Sequence, residues 1–476
     1  MLDAEACYRA LVARDPRFDG HFFVGVTTTG VYCRPVCRAK TPGFARCQFF
    51  LRGAEAEKAG FRACFRCRPE IAPGRSSVDA RHSLAERAAR RIEEGALNEG
   101  SVDDLGRELG VAGRHLRRVI QEELGVSPIE LAQSRRLAIA KALLADGASS
   151  MTEVAFASGF SSVRRFNAAF RARFGRAPRS VLTGTEERAE LLSIALSYRP
   201  PLAWDALLRF LAGRATLGVE RVEGGVYART VRLQGKVGYL RIEHLRPGAL
   251  RAGISATLVP VFVPLVAKLK RMLDLDAEPE VIDRHLAKDP ALRGRVKRTP
   301  GLRLAGAIDP FELAVRAVLG QQVTVKAATT IAGRLAQRFG DPIATGVPGL
   351  DRVFPTPERV AALAESEIIG LGMPGARART VLALANAIAS GRIVLAHGAD
   401  ADAVIEALDA LPGIGPWTAS YIAMRALSVP DAFPSKDLGL MRALDLKDRA
   451  LNARAEAWRP WRAYAALHLW NDGSGG

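Results

Sequence analysis

Cys33 and Cys37 are spaced C-x3-C, and after 26 intervening residues Cys64 and Cys67 follow as C-x2-C. A tetrahedral Zn²⁺ takes four soft ligands from two short turns, and two close pairs separated by a longer excursion supply them. The pairs sit in TTGVYCRPVCRAK and FRACFRCRP, among arginines and aromatics, a setting that favours thiolates and phosphate contacts. The expectation is a Zn²⁺ site held by Cys33, Cys37, Cys64 and Cys67. Cys7 and Cys47 are left over and read as inert or buried thiols. A second chemical signal lies in LPGIGPWTASYIAMRAL, Leu411 to Leu427. Its Pro-Gly-x-Gly turn, with Gly413 and Gly415, exposes backbone N–H groups to a phosphate, helped by the next helix's N-terminus. Such a helix-hairpin-helix grips DNA backbone without reading sequence. Asp437 follows Trp417 by twenty residues, in DAFPSKDLGLMRAL.

The elements that must position these groups differ along the chain. Residues 1 to about 75 contain all six cysteines, and IAPGRSS, Ile71 to Ser77, reads as a linker. From about Val78 to Leu182 the pattern is helical. In SVDDLGRELGVAGRHLRRVIQEELG, Ser101 and Asp104 form a capping box, Gly110 ends the first helix, and Leu116, Val119 and Ile120 face inward. Arg114, His115, Arg117 and Arg118 remain on the second helix. Ser127, Pro128 and Glu130 then open a connecting helix. The unit recurs in MTEVAFASGFSSVRRFNAAFRARFG, with Gly159 at the turn and Phe166, Phe170 and Phe174 on the buried face. Arg164, Arg165, Arg171 and Arg173 are left for the outside. A connecting helix of roughly 18 residues spans about 27 Å, which sets two recognition helices about one DNA turn apart. Some of these arginines form a solvated helix face and others reach bases. A polar link, TGTEERAE, precedes a strand-like stretch from about Leu191 to Arg246, broken at Gly224-Gly225 and Gln234-Gly235. Helical segments rich in Ala and Leu fill the remainder from about Ile254.

The 476 residues are too many for one core. A net charge of +18, from 68 Lys+Arg against 50 Asp+Glu, points to a polyanionic partner, most often nucleic acid. No run of 18 apolar residues occurs, which excludes a membrane-spanning helix. The start, MLDAEACYRALVARDPRFDG, lacks a secretory h-region, and the cysteine usage fits a reducing cytoplasm.

The doublet over about residues 80 to 182 resembles the AraC-type transcription activator domain. The strings FFVGVTTTGVYCRPVC and GFRACFRCRP closely resemble the N-terminal domain of the Ada adaptive-response family, which normally precedes such a doublet. That resemblance implies zinc bound by all four cysteines, with Cys33 accepting a methyl group from a methylphosphotriester in DNA. The chemistry is coherent, since Zn²⁺ keeps a thiol deprotonated near neutral pH. Four thiolates on Zn²⁺ carry a formal charge of −2, and methylating one leaves −1, which weakens repulsion from the DNA backbone. The acceptor is consumed, so the reaction is stoichiometric. Ada proteins commonly end in a second methyltransferase marked by Pro-Cys-His-Arg; that string is missing and no cysteine follows Cys67, so that activity is expected to be absent.

The hairpin followed by Asp437 resembles the helix-hairpin-helix glycosylase superfamily, and residues 191–472 look like the AlkA type of 3-methyladenine DNA glycosylase. YRPPLAWDALLRFLAGRA, VRAVLGQQVTV and WRPWRAYAALHLW carry that likeness. It implies Asp437 as the catalytic carboxylate, stabilising oxocarbenium character on the sugar. It implies a lesion pocket of Phe210, Trp417, Tyr421 and Trp470 that holds a flipped, cationic purine by cation–π attraction. Three departures matter. Lyase-competent relatives carry lysine at the position of Trp417, so a monofunctional hydrolase is expected, and the neighbouring Lys436 is not at the Schiff-base position. The loop from Gly320 to Val323 normally carries an apolar wedge, and here Gln322 offers a polar plug to the duplex. Leu438 replaces an aromatic beside the aspartate.

The fold expected is multidomain and mainly α. It comprises a small zinc domain (1–77), an all-α double helix-turn-helix (78–182), an α+β AlkA-like subdomain (191–302) and an all-α helix-hairpin-helix glycosylase domain (303–476). The function expected is excision of alkylated purines joined to phosphotriester sensing and transcription activation. The alternative is a transcription regulator whose C-terminal half binds DNA but is catalytically silent. The partners expected are damaged and promoter double-stranded DNA, and RNA polymerase during activation, with the chain a monomer.

Overall fold

A computed structural model describes residues 3–73, 84–146, 150–181, 191–396 and 399–472. The link TGTEERAE and the end of the Ile71–Ser77 linker lie outside the described residues. The chain divides into two compact units, Met1–Pro200 with Leu245–Ala267 and Leu275–Ala277, and Pro201–His244 with Lys268–Asp274 and Glu278–Gly476.

The first unit begins with the helix Ala4–Ala13, capped by Asp3. A four-stranded sheet follows, in the order Cys47–Phe50, Phe23–Val26, Val31–Cys33, Arg62–Ala63. The last two strands run parallel, with Tyr32 opposite Ala63. That pairing brings the ends of two distant sequence stretches side by side, and those ends are Cys33 and Cys64. Cys7 is buried and Cys47 half-buried, and burial pushes both thiols up, as befits inert packing groups.

The helix-turn-helix pair follows the pattern read from sequence. Ser101 and Asp104 cap the helix Val102–Glu108 reciprocally, and the second helix runs Gly113–Leu124. Ser127 and Glu130 form a capping box on the connecting helix Pro128–Ala145, with Pro128 in the first turn. Met151–Ala157 and Val163–Phe174 make the second pair. Gly110 and Gly159 take φ of 76° and 88°, left-handed values that a side chain resists. Leu116 and Ile120 are fully buried, as are Phe166 and Phe170, while Phe174 stacks 4.5 Å from Phe170. Arg173 differs from expectation: instead of facing outward it pairs with the buried Glu57 at 3.3 Å. The antiparallel pair Leu191–Ser197 and Ala249–Ser255 completes this unit, in a register from Leu191↔Ser255 to Ser197↔Ala249.

In the second unit, Glu220–Glu223, Val226–Leu233 and Lys236–Arg246 form an antiparallel meander. Its two-residue turns are Gly224-Gly225 and Gln234-Gly235, all four at positive φ, the primed geometry that matches strand twist. The strand-like reading of Leu191 to Arg246 needs one correction, since Trp204–Ala212 is a helix within it. Its apolar face buries Trp204, Leu207, Leu208 and Leu211, a helical period that outweighs the surrounding alternation. Helices fill the rest, and Ala401–Asp409 and Pro416–Ala426 form the hairpin.

Replacing Phe170 by Ala removes a fully buried ring flanked by Phe166 and Phe174. The expected cost is about 3–5 kcal/mol, read as lost hydrogen-exchange protection across Val163–Phe174, because a multidomain chain has no single unfolding free energy.

Candidate metal centre and candidate base-excision site

The parallel strand pairing supplies half of the cysteine cluster. Cys64 N–H donates to the Tyr32 carbonyl at 3.0 Å, which fixes Cys64 beside Cys33. A turn closed by Cys37 N–H to the Arg34 carbonyl, 3.1 Å, brings Cys37 back. Arg34 completes the arrangement. Its N–H donates to Cys67 Sγ at 3.4 Å, while its guanidinium binds the Cys67 carbonyl and Asp19. All four Sγ atoms lie within 4.8 Å of one another. A tetrahedral centre with metal–sulfur bonds of about 2.3 Å sets its sulfurs about 3.8 Å apart, so the cluster fits one ion. Without a cation, sulfurs this close must share protons. The hydrogen bond between Cys33 and Cys37 pushes the first up and brings the second down to about 7.

The four sulfurs are not equivalent. Arg66 N–H donates to Cys64 Sγ at 3.3 Å, Arg34 N–H serves Cys67, and the Ala39 backbone serves Cys37. Among the described residues no backbone N–H donates to Cys33 Sγ. Cys33 and Cys67 are half-buried, whereas Cys37 and Cys64 are buried. The second cysteine turn is also tied to the connecting helix. Lys141 donates to the Cys64 carbonyl at 2.6 Å and to Glu70 at 2.9 Å, and Arg68 pairs with Asp146 at 2.6 Å.

The exposed arginines of the helix-turn-helix pair fall into a pattern. Arg114 and Arg164 are each the second residue of their helices, and both are exposed. Arg117, Arg118 and Arg165 are exposed too, with Arg117 set 3.2 Å from Asp103, Arg118 3.3 Å from His115 and Arg165 3.2 Å from Ser161. N-terminal residues of a recognition helix are the ones that reach base edges.

In the second unit the hairpin turn needs its glycines for different reasons. Gly413 has φ of 82°, and a Cβ there meets Thr380 Oγ1 at 2.1 Å. Gly415 opens the helix Pro416–Ala426, and nothing lies within 4 Å of a Cβ built on it. Its bareness leaves room for an approaching backbone. Gln321 ties the loop Gly320–Val323 to the hairpin by donating to the Gly413 carbonyl at 2.8 Å and to Thr418 Oγ1 at 2.9 Å. Gln322 then turns outward, exposed, with φ of 55°.

Asp437 caps the helix Leu438–Leu444, accepting from Leu440 N–H at 2.8 Å. It also accepts from two indoles, Trp417 Nε1 at 2.9 Å and Trp470 Nε1 at 3.1 Å. The same indoles belong to an aromatic cluster. Trp417 stacks on Tyr421 with centroids 5.3 Å apart and planes 9° apart, and Tyr421 lies 6.1 Å from Trp470. Leu438 beside them is 63% exposed, so the position that departs from the family pattern offers an aliphatic surface to solvent. The Lys436 N–H donates to Asp448 at 3.0 Å.

Sequence reasoning missed the cations behind the pocket. Arg214 lies 3.9 Å from the Phe210 ring centroid and Arg425 lies 4.8 Å from it. Arg425 also donates to the Tyr421 hydroxyl at 2.9 Å and is anchored on the Ala305 carbonyl at 2.7 Å. Burial raises the Tyr421 phenol, but Arg425, Arg214 and Arg316 outweigh it and bring it down to about 8. The signal was the spacing of four from Tyr421 to Arg425, which puts that pair on one helix face, whereas Arg214 lies just beyond the helix that carries Phe210. Behind them Arg229 and Arg316 pair with the buried Glu312 and Glu220 at 2.7 and 2.8 Å.

Four family descriptions match the chain. "Metal binding domain of Ada" covers residues 6–70, "Helix-turn-helix domain" 105–184, "AlkA N-terminal domain" 193–309, and "HhH-GPD superfamily base excision DNA repair protein" 315–457. A Mycobacterium tuberculosis protein, "Probable bifunctional transcriptional activator/DNA repair enzyme AlkA", is 40% identical over 98% of this chain and 96% of its own length. The chain belongs to that family. This chain thus joins an Ada metal-binding module and a helix-turn-helix module to a base-excision module. "DNA-3-methyladenine glycosylase 2" of Escherichia coli is 36% identical over 58% of this chain and 95% of its own. A 3-methyladenine DNA glycosylase from Archaeoglobus fulgidus shares the fold, with TM-score 0.52 and 22% identity over 58% of this chain and 96% of that one.

The cysteine geometry predicts about one divalent ion per chain by elemental analysis. Cys64→Ala is expected to lose it, because that substitution removes a ligand and leaves three thiols.

Proposed function

We infer that this member of the AlkA-type family excises alkylated purines from DNA by monofunctional hydrolysis and senses methylphosphotriesters through Cys33. The observation that carries the first half is Asp437, held by three N–H donors beside the wall of Trp417, Tyr421 and Trp470. Flipping a base from the stack places its sugar near such a carboxylate. As the C1′–N bond breaks, its electron pair leaves with the base and the sugar gains positive charge. The Asp437 anion stabilises that charge and aligns a water, which bonds to C1′ and gives up a proton. A base already cationic by alkylation leaves as a neutral purine, so no strong general acid is required. Trp417 stands where lyase-competent relatives carry lysine, which supports hydrolysis without strand cleavage. Gly413 and Gly415 hold the backbone, Gln322 faces the gap left in the duplex, and Phe210 closes the pocket.

In the amino-terminal half, Zn²⁺ is the ion that four cysteine sulfurs suit best, and when bound it keeps them as thiolates near neutral pH. Cys33 is the acceptor that the likeness to the Ada metal-binding domain implies, and the lack of a backbone N–H to its sulfur among the described residues supports it, since such a bond would lower its nucleophilicity. Its Sγ forms a bond to the methyl carbon, the methyl–oxygen bond breaks, and the phosphodiester leaves as an anion. The four-module division at 1–77, 78–182, 191–302 and 303–476 assigns sensing, promoter binding and excision to separate stretches. Arg114, Arg117, Arg118, Arg164 and Arg165 contact promoter DNA, and the activator works as a monomer that engages RNA polymerase.

Base release from a duplex carrying one 3-methyladenine or hypoxanthine tests the first half. Wild type is expected to release the base, and Asp437→Asn to lose about a thousandfold or more in single-turnover rate. Equal, negligible release from both leaves a DNA-binding regulator with a silent C-terminal half. Methyl transfer from methylphosphotriester DNA tests the second half. Cys33→Ser is expected to abolish label transfer, and transfer that persists in it assigns the acceptor elsewhere.

A further inference from the structure

Trp417 and Trp470 face a question the pocket reading leaves open, because a wall for a base needs only a ring. Both indole N–H groups nevertheless point at one carboxylate. Oδ1 of Asp437 accepts from Leu440 N–H at 2.8 Å and from Trp470 Nε1 at 3.1 Å, which fills both of its lone-pair directions. Among the described residues Oδ2 accepts from Trp417 Nε1 alone, at 2.9 Å, which leaves one direction open. We propose that Trp417 and Trp470 are positioning residues that fix the Asp437 carboxylate and make Oδ2 the oxygen that works on the sugar and water. The proposal rests on the glycosylase reading for its chemistry, whereas the hydrogen bonds themselves do not.

A carboxylate held only as a helix N-cap, through one oxygen, still turns about its terminal torsion, which is broad for Asp. Donors on both oxygens from two separate helices, Pro416–Ala426 and Arg462–Asp472, remove that freedom. The indoles are themselves fixed. Trp417 lies flat on Tyr421, and the Tyr421 hydroxyl is held by Arg425, which is anchored on the Ala305 and Gly306 carbonyls. The chain of contacts therefore runs from a buried guanidinium through two rings to one oxygen. A base pressed against those rings meets surfaces whose edges already aim the carboxylate, so recognition and charge placement share the same side chains.

Replacing each tryptophan by β-(3-benzothienyl)alanine keeps the fused ring and removes the N–H, while Trp→Phe also shrinks the ring. At position 417 or 470 the benzothienyl substitution is expected to lower the single-turnover rate about tenfold or more, with the Kd for lesion DNA within about twofold of wild type. A rate kept at wild-type level with the N–H gone overturns the proposal, since the ring alone then suffices. A second measurement does not depend on activity. The chain has five tryptophans, so indole ¹⁵N labelling of the full chain gives five Nε1–H signals. Asp437→Ala is expected to shift those of Trp417 and Trp470 and speed their solvent exchange. The Trp458 signal serves as control, because its N–H binds Asp289 at 2.7 Å. Unmoved Trp417 and Trp470 signals overturn the positioning role, even in an active enzyme. Moved signals in a protein that releases no base support the positioning and defeat only the glycosylase reading.

Discussion

Taking an ionised group out of water costs several kcal/mol unless partners replace its hydration. Both functional centres in this chain are organised by that constraint. In the first unit, Lys141 is almost wholly buried, and its ammonium is accommodated only because Glu70 and the Cys64 carbonyl face it. The consequence is a fixed second cysteine turn. In the second unit, Arg229, Arg316, Glu220 and Glu312 form a buried network with Tyr227 and Thr216. Removing one member leaves a charge unmatched in a low-dielectric interior, so the network holds the meander and the helix Pro310–Leu319 in one relation.

Local chemistry was well represented in the sequence, and long-range pairing was not. The capping boxes at Ser101 and Ser127, the glycine turns at Gly110 and Gly159 and the buried phenylalanine stripe are set within a few residues, and each appeared where its pattern placed it. The primed turns at Gly224-Gly225 and Gln234-Gly235 belong to the same class. By contrast, nothing near Arg173 announces that Glu57, more than a hundred residues earlier, neutralises it. The parallel pairing of Tyr32 with Ala63 is equally silent in sequence, although it is what turns two cysteine pairs into one cluster.

At the excision site the residue types were legible while their division of labour was not. Asp437 read as the catalytic carboxylate, and the geometry makes the same side chain a helix cap that also accepts from two indoles. A carboxylate has about four acceptor directions, and a cap occupies only one. Trp417 and Trp470 read as ring surfaces because their indole N–H groups have no sequence signature. Their partner lies twenty and thirty-three residues away.

The guanidiniums beside Phe210 change how a cationic base is best accounted for. If cation–π attraction to the wall were the main source of selectivity, the aromatic faces should be free of the protein's own cations. Phe210 instead has Arg214 and Arg425 against it, and Tyr421 has Arg425 within 5.7 Å. A purine carrying positive charge beside these rings would meet two arginines before any attraction is counted, and at separations of several ångström that repulsion is comparable with one cation–π contact. The cationic character of the lesion therefore does more for bond breaking than for binding. It weakens the C1′–N bond by making the base a neutral leaving group, an advantage that survives whatever the pocket does. On the proposed glycosylase reading, a pocket of this composition would distinguish bases by shape and by how readily they leave, and catalysis would depend on the orientation of one carboxylate.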